Sequence, residues 1–309
     1  MQFTITIPSY KTQYLRECID SVLGQTYEDF EVIILNDASP EDVGGIVHSY
    51  TDTRIRYFEN EKNVGAVDLV DNWNKCLELA KGNYIICIGD DDMLMPDCLE
   101  QYAEMIVKYP HVDLFHARSF RINEKSELIA VSQGYSEHEH VFQFMLHRLN
   151  YGIQFIGDFC YRTETLRKMG GYFKLPLAWG TDDITAYLAA AENGVVNISI
   201  PTFCYRSHTA TISLSGMTET KMLATLALHD WYKSFLDSKT PNDTVEAMSR
   251  KAIEERLPSF ITKRKALLMA SELAQSWTRL FHWFALRRKY DLQASAFILA
   301  VYYRRLYRH

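Results

Sequence analysis

The sequence predicts an α/β fold with a mostly parallel central sheet flanked by helices, followed by a C-terminal helical region. Three observations predict it. Short runs of β-branched and apolar residues alternate with helix-period stretches over residues 3–88. Several of the strand-like runs are almost continuously apolar, as expected where both faces of a parallel sheet are covered. From about Thr218 the strand pattern stops and helical patterning takes over. The chain has 309 residues, 47% of them hydrophobic, which supports a sizeable core; 14 Gly and 8 Pro are too few for a collagenous or low-complexity chain. At about 150 residues per domain, two domains or one large domain with an appendage are expected.

Taken in order, Phe3-Thr-Ile-Thr-Ile7 alternates with period two and reads as a strand stopped by Pro8. Leu15, Cys18, Ile19, Val22 and Leu23 fall at helical spacing, with Gly24 as C-cap. Glu31-Val-Ile-Ile-Leu35 is a second strand, broken by the turn chemistry of Asn36-Asp37-Ala38-Ser39-Pro40. Glu41 to Tyr50 can be a helix, and Arg54 to Phe58 is a third strand. A helix from about Val67 to Ala80 ends at Gly82, and a fourth strand, Tyr84 to Ile88, runs into Gly89-Asp-Asp-Asp92. This order implies parallel strands joined by crossover helices, with ligands beyond the carboxyl ends of the strands. Ser9, Asp37 and Asp90, Asp91 and Asp92 stand at those ends. The turn Pro8-Ser9-Tyr10 lacks a glycine-rich phosphate loop, which disfavours a nicotinamide dinucleotide site and a P-loop.

No apolar run reaches the ~18 residues that cross a bilayer, and the start lacks the pattern of a secretory signal. Six widely spaced cysteines with no CxxC pair read as reduced thiols of a cytoplasmic protein. The net charge of −6 hides an asymmetry: from Arg250 to His309 thirteen basic residues face four acidic ones, so this stretch carries +9 and the rest −15.

Three consecutive carboxylates after a buried strand repel one another unless a cation or hydrogen-bond donors relieve them. Hard oxygen ligands of this kind suit Mg2+ or Mn2+, which keep several waters and bridge to substrate phosphates. The alternative is a solvated loop in which Asp92 caps a helix starting near Pro96. A second acidic pair, Asp182 and Asp183, precedes an apolar helical run, Ile184 to Ala191. With Thr181 as N-cap, the helix dipole alone explains both carboxylates. Cys204-Tyr-Arg-Ser-His208 follows a strand-like Val195 to Ile200. A lone His is ordinarily a satisfied core or surface residue.

Spaced motifs add a resemblance. Ile7-Pro-Ser-Tyr10, then Leu15-Arg-Glu-Cys-Ile-Asp-Ser-Val-Leu-Gly-Gln-Thr-Tyr27, then Glu31-Val-Ile-Ile-Leu-Asn-Asp-Ala-Ser39 look like the opening of family 2 glycosyltransferases. Asn63-Val-Gly65, Asn72-Trp-Asn74, Ala80-Lys-Gly82 and Gly89-Asp-Asp-Asp-Met-Leu-Met-Pro96 continue the pattern in order. The resemblance covers about residues 3–215. It implies a GT-A fold: a nucleotide-sugar-binding half over 1–100 and an acceptor-binding half over 101–215; beyond it, the helical patterning and the charge balance mark a helical basic region over 216–309. It further implies that Asp37 holds the nucleotide's base or ribose beside Pro8, Ser9 and Tyr10, with Asn63 and Asn72 in the same site. Asp90 and Asp91, with Asp92 beside them, would bind the metal; the family often has Asp where this chain has Gly89, so Asp91 matches the second member of an Asp-x-Asp pair. Asp183 would be the general base, with Asp182 its neighbour. His208 would approach the metal or diphosphate, since imidazole suits Mn2+, and Arg206 would pair with phosphate oxygens. Trp179 would shape a sugar face on the acceptor side. Ala189, Ala190 and Ala191 stand where the family often has Arg.

The implied activity is transfer of a sugar from a nucleoside-diphosphate sugar to a hydroxyl of a glycan or lipid-linked oligosaccharide, with inversion and with Mn2+ or Mg2+ as cofactor. One carboxylate takes the acceptor's proton, and a cation stabilises the departing diphosphate. Two other readings stay open: a non-catalytic relative that binds a membrane or partner, and a sugar nucleotidyltransferase, which would want a glycine-rich, Arg-bearing loop after the first strand. In the tail, Trp277, Leu280, Phe281 and Phe284 recur at helical spacing before Arg287-Arg-Lys289, and Phe297, Ile298 and Val301 lie beside Arg304, Arg305 and Arg308. Such helices can lie on the inner face of an anionic membrane, pack on the catalytic domain, or join a second copy as a homodimer. Nucleic acid is not an expected partner, because the body is acidic and no recognition motif is present.

Overall fold

The computed structural model describes residues 2–150, 152–208 and 217–307. The chain divides into two compact units, one of residues 1–174 and 181–211, the other of residues 175–180 and 212–309.

The first unit opens as predicted: β1 (Phe3–Ser9), α1 (Leu15–Leu23), β2 (Phe30–Asn36), α2 (Val43–His48), β3 (Ile55–Glu59), α3 (Leu69–Leu79) and β4 (Tyr84–Cys87). β5 (Met93–Leu94), α4 (Cys98–Lys108), β6 (Leu114–Ile122), β7 (Leu128–Val131), β8 (His138–Glu139) and α5 (Val141–Leu149) follow, then β9 (Phe159–Arg162), α6 (Thr163–Lys168), α7 (Thr181–Ala189) and β10 (Val195–Arg206). Among the described residues they form one ten-stranded sheet in the order β3-β2-β1-β4-β9-β6-β10-β5, with β7 on β6 and β8 on β10. β1 to β4 pair in parallel, and β9 is an antiparallel insert between β4 and β6. β10 runs parallel to β6.

Pro8 does not stop β1, which continues to Ser9. The reason is the strand's hydrogen-bonding phase. Thr6 O accepts from Ile88 N on the β4 side, so the ring nitrogen of Pro8, two residues on, faces the same side, where the β4 pairing has already ended. Phe3, Ile5 and Ile7 join Leu15, Ile19, Val22, Val32, Ile34 and Ile86 in the main core. Gly82 is needed for close approach: a Cβ there would lie 2.5 Å from Phe3 C and 2.6 Å from Thr4 N. The six cysteines are all buried and unbridged.

The second unit is helical: α8 (Thr218–Ser238), α9 (Thr244–Gln275), α10 (Arg279–Ala285) and α11 (Ala294–Tyr303). Its core gathers Met222, Met269, Leu273, Trp283, Tyr290, Ala296 and Ala300. No described helix is long and apolar enough to cross a membrane. Arg308 lies outside the described residues.

Candidate active site

The loop after β4 sends its three carboxylates to three different partners. Asp90 Oδ2 accepts from Tyr10 N at 2.7 Å and Lys11 N at 2.8 Å, with Ser9 Oγ at 3.4 Å. It thereby fixes the turn that follows β1. Burial pushes its carboxyl up to about 6, against the pull of those two amides. Asp92 is buried, and its Oδ1 accepts from Arg206 N at 3.0 Å. Burial, reinforced by the charge of Asp91, drives it well above the usual carboxylate range. Asp92 does not cap the next helix: α4 starts at Cys98 with Asp97 before it. Asp91, half-buried, sets its Oδ2 2.7 Å from His208 Nε2. A Cβ at Gly89 would lie 2.7 Å from Asp91 Oδ1 and 3.0 Å from Asp92 Oδ2, so the two carboxylates fill the space a side chain at that position would occupy.

Arg206, at the end of β10, has no exposed surface. Its Nε donates to Asp91 O at 2.8 Å, Nη1 to Ser126 Oγ at 2.8 Å and Nη2 to Glu17 Oε2 at 2.7 Å, while its guanidinium carbon lies 4.1 Å from the centroid of the Tyr14 ring. The expected pairing with phosphate oxygens is therefore not what this geometry serves: the guanidinium braces the triplet's backbone from inside the fold. The Tyr14 ring also packs on the His208 imidazole, with centroids 5.4 Å apart. Tyr14 and Glu17 escaped the sequence reading because their importance arises only through contacts with β10.

Asp37 stands at the end of β2, and its backbone N donates to Ser9 O at 2.9 Å. Its carboxylate accepts from Asn60 Nδ2 at 2.8 Å, Val64 N at 3.0 Å and Asn63 Nδ2 at 3.0 Å. Asn60 Nδ2 also donates to Asn72 Oδ1 at 2.8 Å, and Lys75 Nζ donates to Asn60 Oδ1 at 2.6 Å. Asn63 thus meets Asp37 directly, and Asn72 meets it through Asn60, which was not predicted. The local Asx turn belongs to Asn36, whose Oδ1 accepts from Ser39 N at 2.9 Å, and the cap of α2 belongs to Asp42.

Thr181 is the first residue of α7 rather than its cap, and Asp182 and Asp183 occupy the first turn. Asp183 is fully buried, and its Oδ1 accepts from Arg148 Nε at 2.8 Å. Arg148, at the end of α5, is 22% exposed and also donates from Nη1 to Gly152 O at 2.8 Å. Burial works against its charge, but Asp183, Asp182 and Tyr187 hold the guanidinium more firmly protonated than usual. Asp182 is half-buried. Asp158, which feels the charge of Asp182 and whose own charge acts on Asp92, accepts from Ser119 Oγ and from Phe155 N at 2.7 Å. Burial pushes Asp158 up to about 8, with Asp182 adding to the rise. The structure thus joins residues 8–10, 37, 63, 72, 90–92, 206 and 208 through direct contacts, while Asp182 is linked to that group by its field on Asp158, whose charge in turn acts on Asp92. Trp179 belongs to the second unit, its indole centroid 5.1 Å from Lys221 Nζ and 5.5 Å from the Arg264 guanidinium carbon.

Among the described residues, no three His, Cys, Asp or Glu side chains converge in metal-ligand geometry. Asp91 and His208 do converge, a hard carboxylate against an imidazole. Mg2+ and Mn2+ are commonly held by one or two side chains plus substrate phosphates rather than by an all-protein cage, so the residues present fit such an ion.

The family model for glycosyl transferase family 2 matches residues 4–168. The glycosyltransferase GlyA of Streptococcus pneumoniae serotype 4 is 29% identical over 182 residues, 58% of this chain and 24% of its own length. GlyG of the same organism is 30% identical over 106 residues, 33% of this chain and 34% of its own length. The matches therefore span about a quarter to a third of these curated relatives. Among solved structures, the 1–349 fragment of S. aureus TarS, crystallised with UDP-GlcNAc, aligns with a TM-score of 0.62 at 18% identity, covering 99% of this chain and 92% of that one. The mannosyltransferase PcManGT of Pyrobaculum calidifontis, in complex with GDP-Man and Mn2+, aligns at 0.54 and 16% identity over 98% of this chain and 86% of that one. The sheet-and-helix architecture expected from the sequence is the one these structures share.

Proposed function

Because the chain belongs to glycosyl transferase family 2, we propose that it moves a sugar from a nucleoside-diphosphate sugar to a hydroxyl of a glycan or lipid-linked oligosaccharide, inverting the anomeric carbon. The observation that carries this reading is the Asp91–His208 pair at the carboxyl end of β4, beside a turn that Asp90 and Asp37 hold from either side.

In this reading Asp37, its carboxylate ordered by Asn60, Asn63 and Val64, receives the base or ribose, and Asn72 keeps Asn60 in place. Pro8, Ser9 and Tyr10 form the adjoining wall. Asp91 and His208 would hold Mn2+ or Mg2+, which when bound offsets the charge gathering on the departing diphosphate. Asp90, Asp92 and Arg206 keep those two side chains in position. Asp183 is the general base: Arg148 fixes its carboxylate, and that carboxylate takes the acceptor's proton as the acceptor oxygen bonds to the anomeric carbon and the bond to the diphosphate breaks on the opposite face. Such a base contributes about 10²–10⁴-fold.

Since TarS was solved with UDP-GlcNAc and PcManGT with GDP-Man and Mn2+, uridine and guanosine diphosphate sugars are the first donors to screen. Asp183→Asn is expected to abolish transfer with donor affinity nearly intact, while Asp91→Ala and His208→Ala lose the Mn2+-dependent part of donor binding. Asp182→Asn run in parallel identifies which carboxylate is the base. Full turnover by Asp183→Asn, or a product that keeps the donor's anomeric configuration by NMR, overturns the reading.

A further inference from the structure

We propose that α10, α11 and the turn after α11 form a surface that seats the second unit on an anionic lipid bilayer. This goes beyond the catalytic reading and does not depend on it. α10 buries Trp283 completely, yet Phe281 is 77% and Phe284 55% exposed. α11 turns Ala296 and Ala300 into the core and packs Phe297, Leu299 and Tyr303 partly against it, while Ile298 is 70%, Tyr302 53% and Val301 42% exposed. No charged residue occurs between Ala294 and Tyr303. Large apolar side chains left exposed on a helix with no charged residue of its own form an apolar patch of the kind that marks interaction sites.

The exposed side chains form one surface. The Phe284 and Phe297 rings are 6.1 Å apart, which joins α10 to α11. The Arg304 guanidinium carbon lies 4.1 Å from the Trp277 ring centroid, Arg287 4.2 Å from that of Phe284, and Arg305 4.0 Å from that of Tyr302. Aromatic and aliphatic tips with guanidinium groups laid over them suit the bilayer interface, where the rings enter the headgroup–acyl boundary and the cations meet lipid phosphates. The charge balance selects the partner. Residues 250–309 carry +9 and the rest of the chain −15, so an anionic surface attracts this end and repels the body. A second copy is disfavoured, because a two-fold contact through this patch would set arginines against arginines.

The test is flotation of the intact chain with vesicles of phosphatidylcholine alone or with about 30% phosphatidylglycerol. The wild type is expected to float only with the anionic vesicles, less so at high salt, and Phe281→Ser/Phe284→Ser/Ile298→Ser is expected to lower partitioning at least about tenfold. The Arg305→Gln variant is expected to bind less tightly and with a shallower salt dependence. Unchanged thermal melts, expected for such exposed positions, exclude misfolding as the cause. Equal flotation of wild type and triple variant overturns the proposal. So does a wild type that ignores vesicles but sediments as a dimer which the triple variant converts to monomer.

Discussion

Replacing Arg148 with Met is expected to cost the first unit about 3–5 kcal/mol of stability and to lower turnover about 10²-fold or more. The stability figure follows from the geometry. Asp183 has no exposed side-chain surface and Arg148 has 22%, and the two groups meet at 2.8 Å. Deleting one member of such a buried pair leaves the other charge without compensation, which is far more costly than removing both. Arg148→Met also removes the donor to Gly152 O. In a double-mutant cycle with Asp183→Asn, the double variant is therefore expected to recover about 2–3 kcal/mol relative to the sum of the single changes. Recovery of stability should bring no recovery of turnover, because the carboxylate proposed as base is gone. Hydrogen exchange of amides in β1 to β4, followed against urea, reads the first unit by itself. A coupling energy under about 0.5 kcal/mol refutes the reasoning, since independent sites add within that margin. Turnover of Arg148→Met close to wild type refutes the positioning role even if the coupling is found.

Two further outcomes follow from packing and titration. Gly82→Ala places a methyl group against the backbone of Phe3 and Thr4, neither of which can move without opening β1, so a loss of about 1–3 kcal/mol is expected from the urea midpoint; an unchanged midpoint contradicts the close approach. Asp158, pushed by burial up to about 8, stays protonated in the folded chain over a range where the unfolded chain, with its carboxyl near 3.9, has already lost the proton. The folded state then binds more protons, so stability falls as pH rises from about 4 to about 8 and the loss is complete above that. His116, held by burial down at about 4, acts oppositely: its unfolded form takes a proton below about 6.5, and stability falls as pH drops through that window. Asp158→Asn removes the first slope, so its stability relative to wild type should grow between pH 5 and 8; parallel curves for the two proteins would contradict this.

Local periodicity carried much of the first half of the fold. α1 begins and ends at the predicted residues because one apolar stripe, Leu15, Cys18, Ile19 and Val22, is buried against β1 and β2. The antiparallel insertion of β9 was not legible, because its four residues, Phe159–Arg162, pair with β4 some 75 positions earlier and nothing in their own pattern gives direction. The misplaced start of α4 has the same origin: Asp92 is drawn to the amide of Arg206, 114 residues away, which leaves Asp97 at the head of the helix. Asn60 was within reach of the rule that found Asp37, since it directly follows β3 as Asp37 follows β2. Arg148 left no local signal. The helix dipole already accounts for two carboxylates at a helix head, and it is tertiary packing that brings the Arg148 guanidinium to Asp183.

The same accounting separates the carboxylates of the site from one another. Asp37 is compensated by two side-chain amides and a backbone amide, Asp90 and Asp92 by two backbone amides each, and Asp183 by a guanidinium. Amide and guanidinium nitrogens donate hydrogen bonds and do not bind cations. Asp91 differs, because its side-chain partner is the imidazole of His208, whose Nε2 coordinates a divalent ion once the hydrogen it shares with Asp91 is lost or moved to Nδ1. A cation arriving between these two side chains meets two groups able to coordinate it, whereas Asp37, Asp90, Asp92 and Asp183 each meet hydrogen-bond donors that shape the fold. That difference is why Asp91, rather than the triplet as a whole, is the group whose replacement should be felt in metal-dependent donor binding and little in stability.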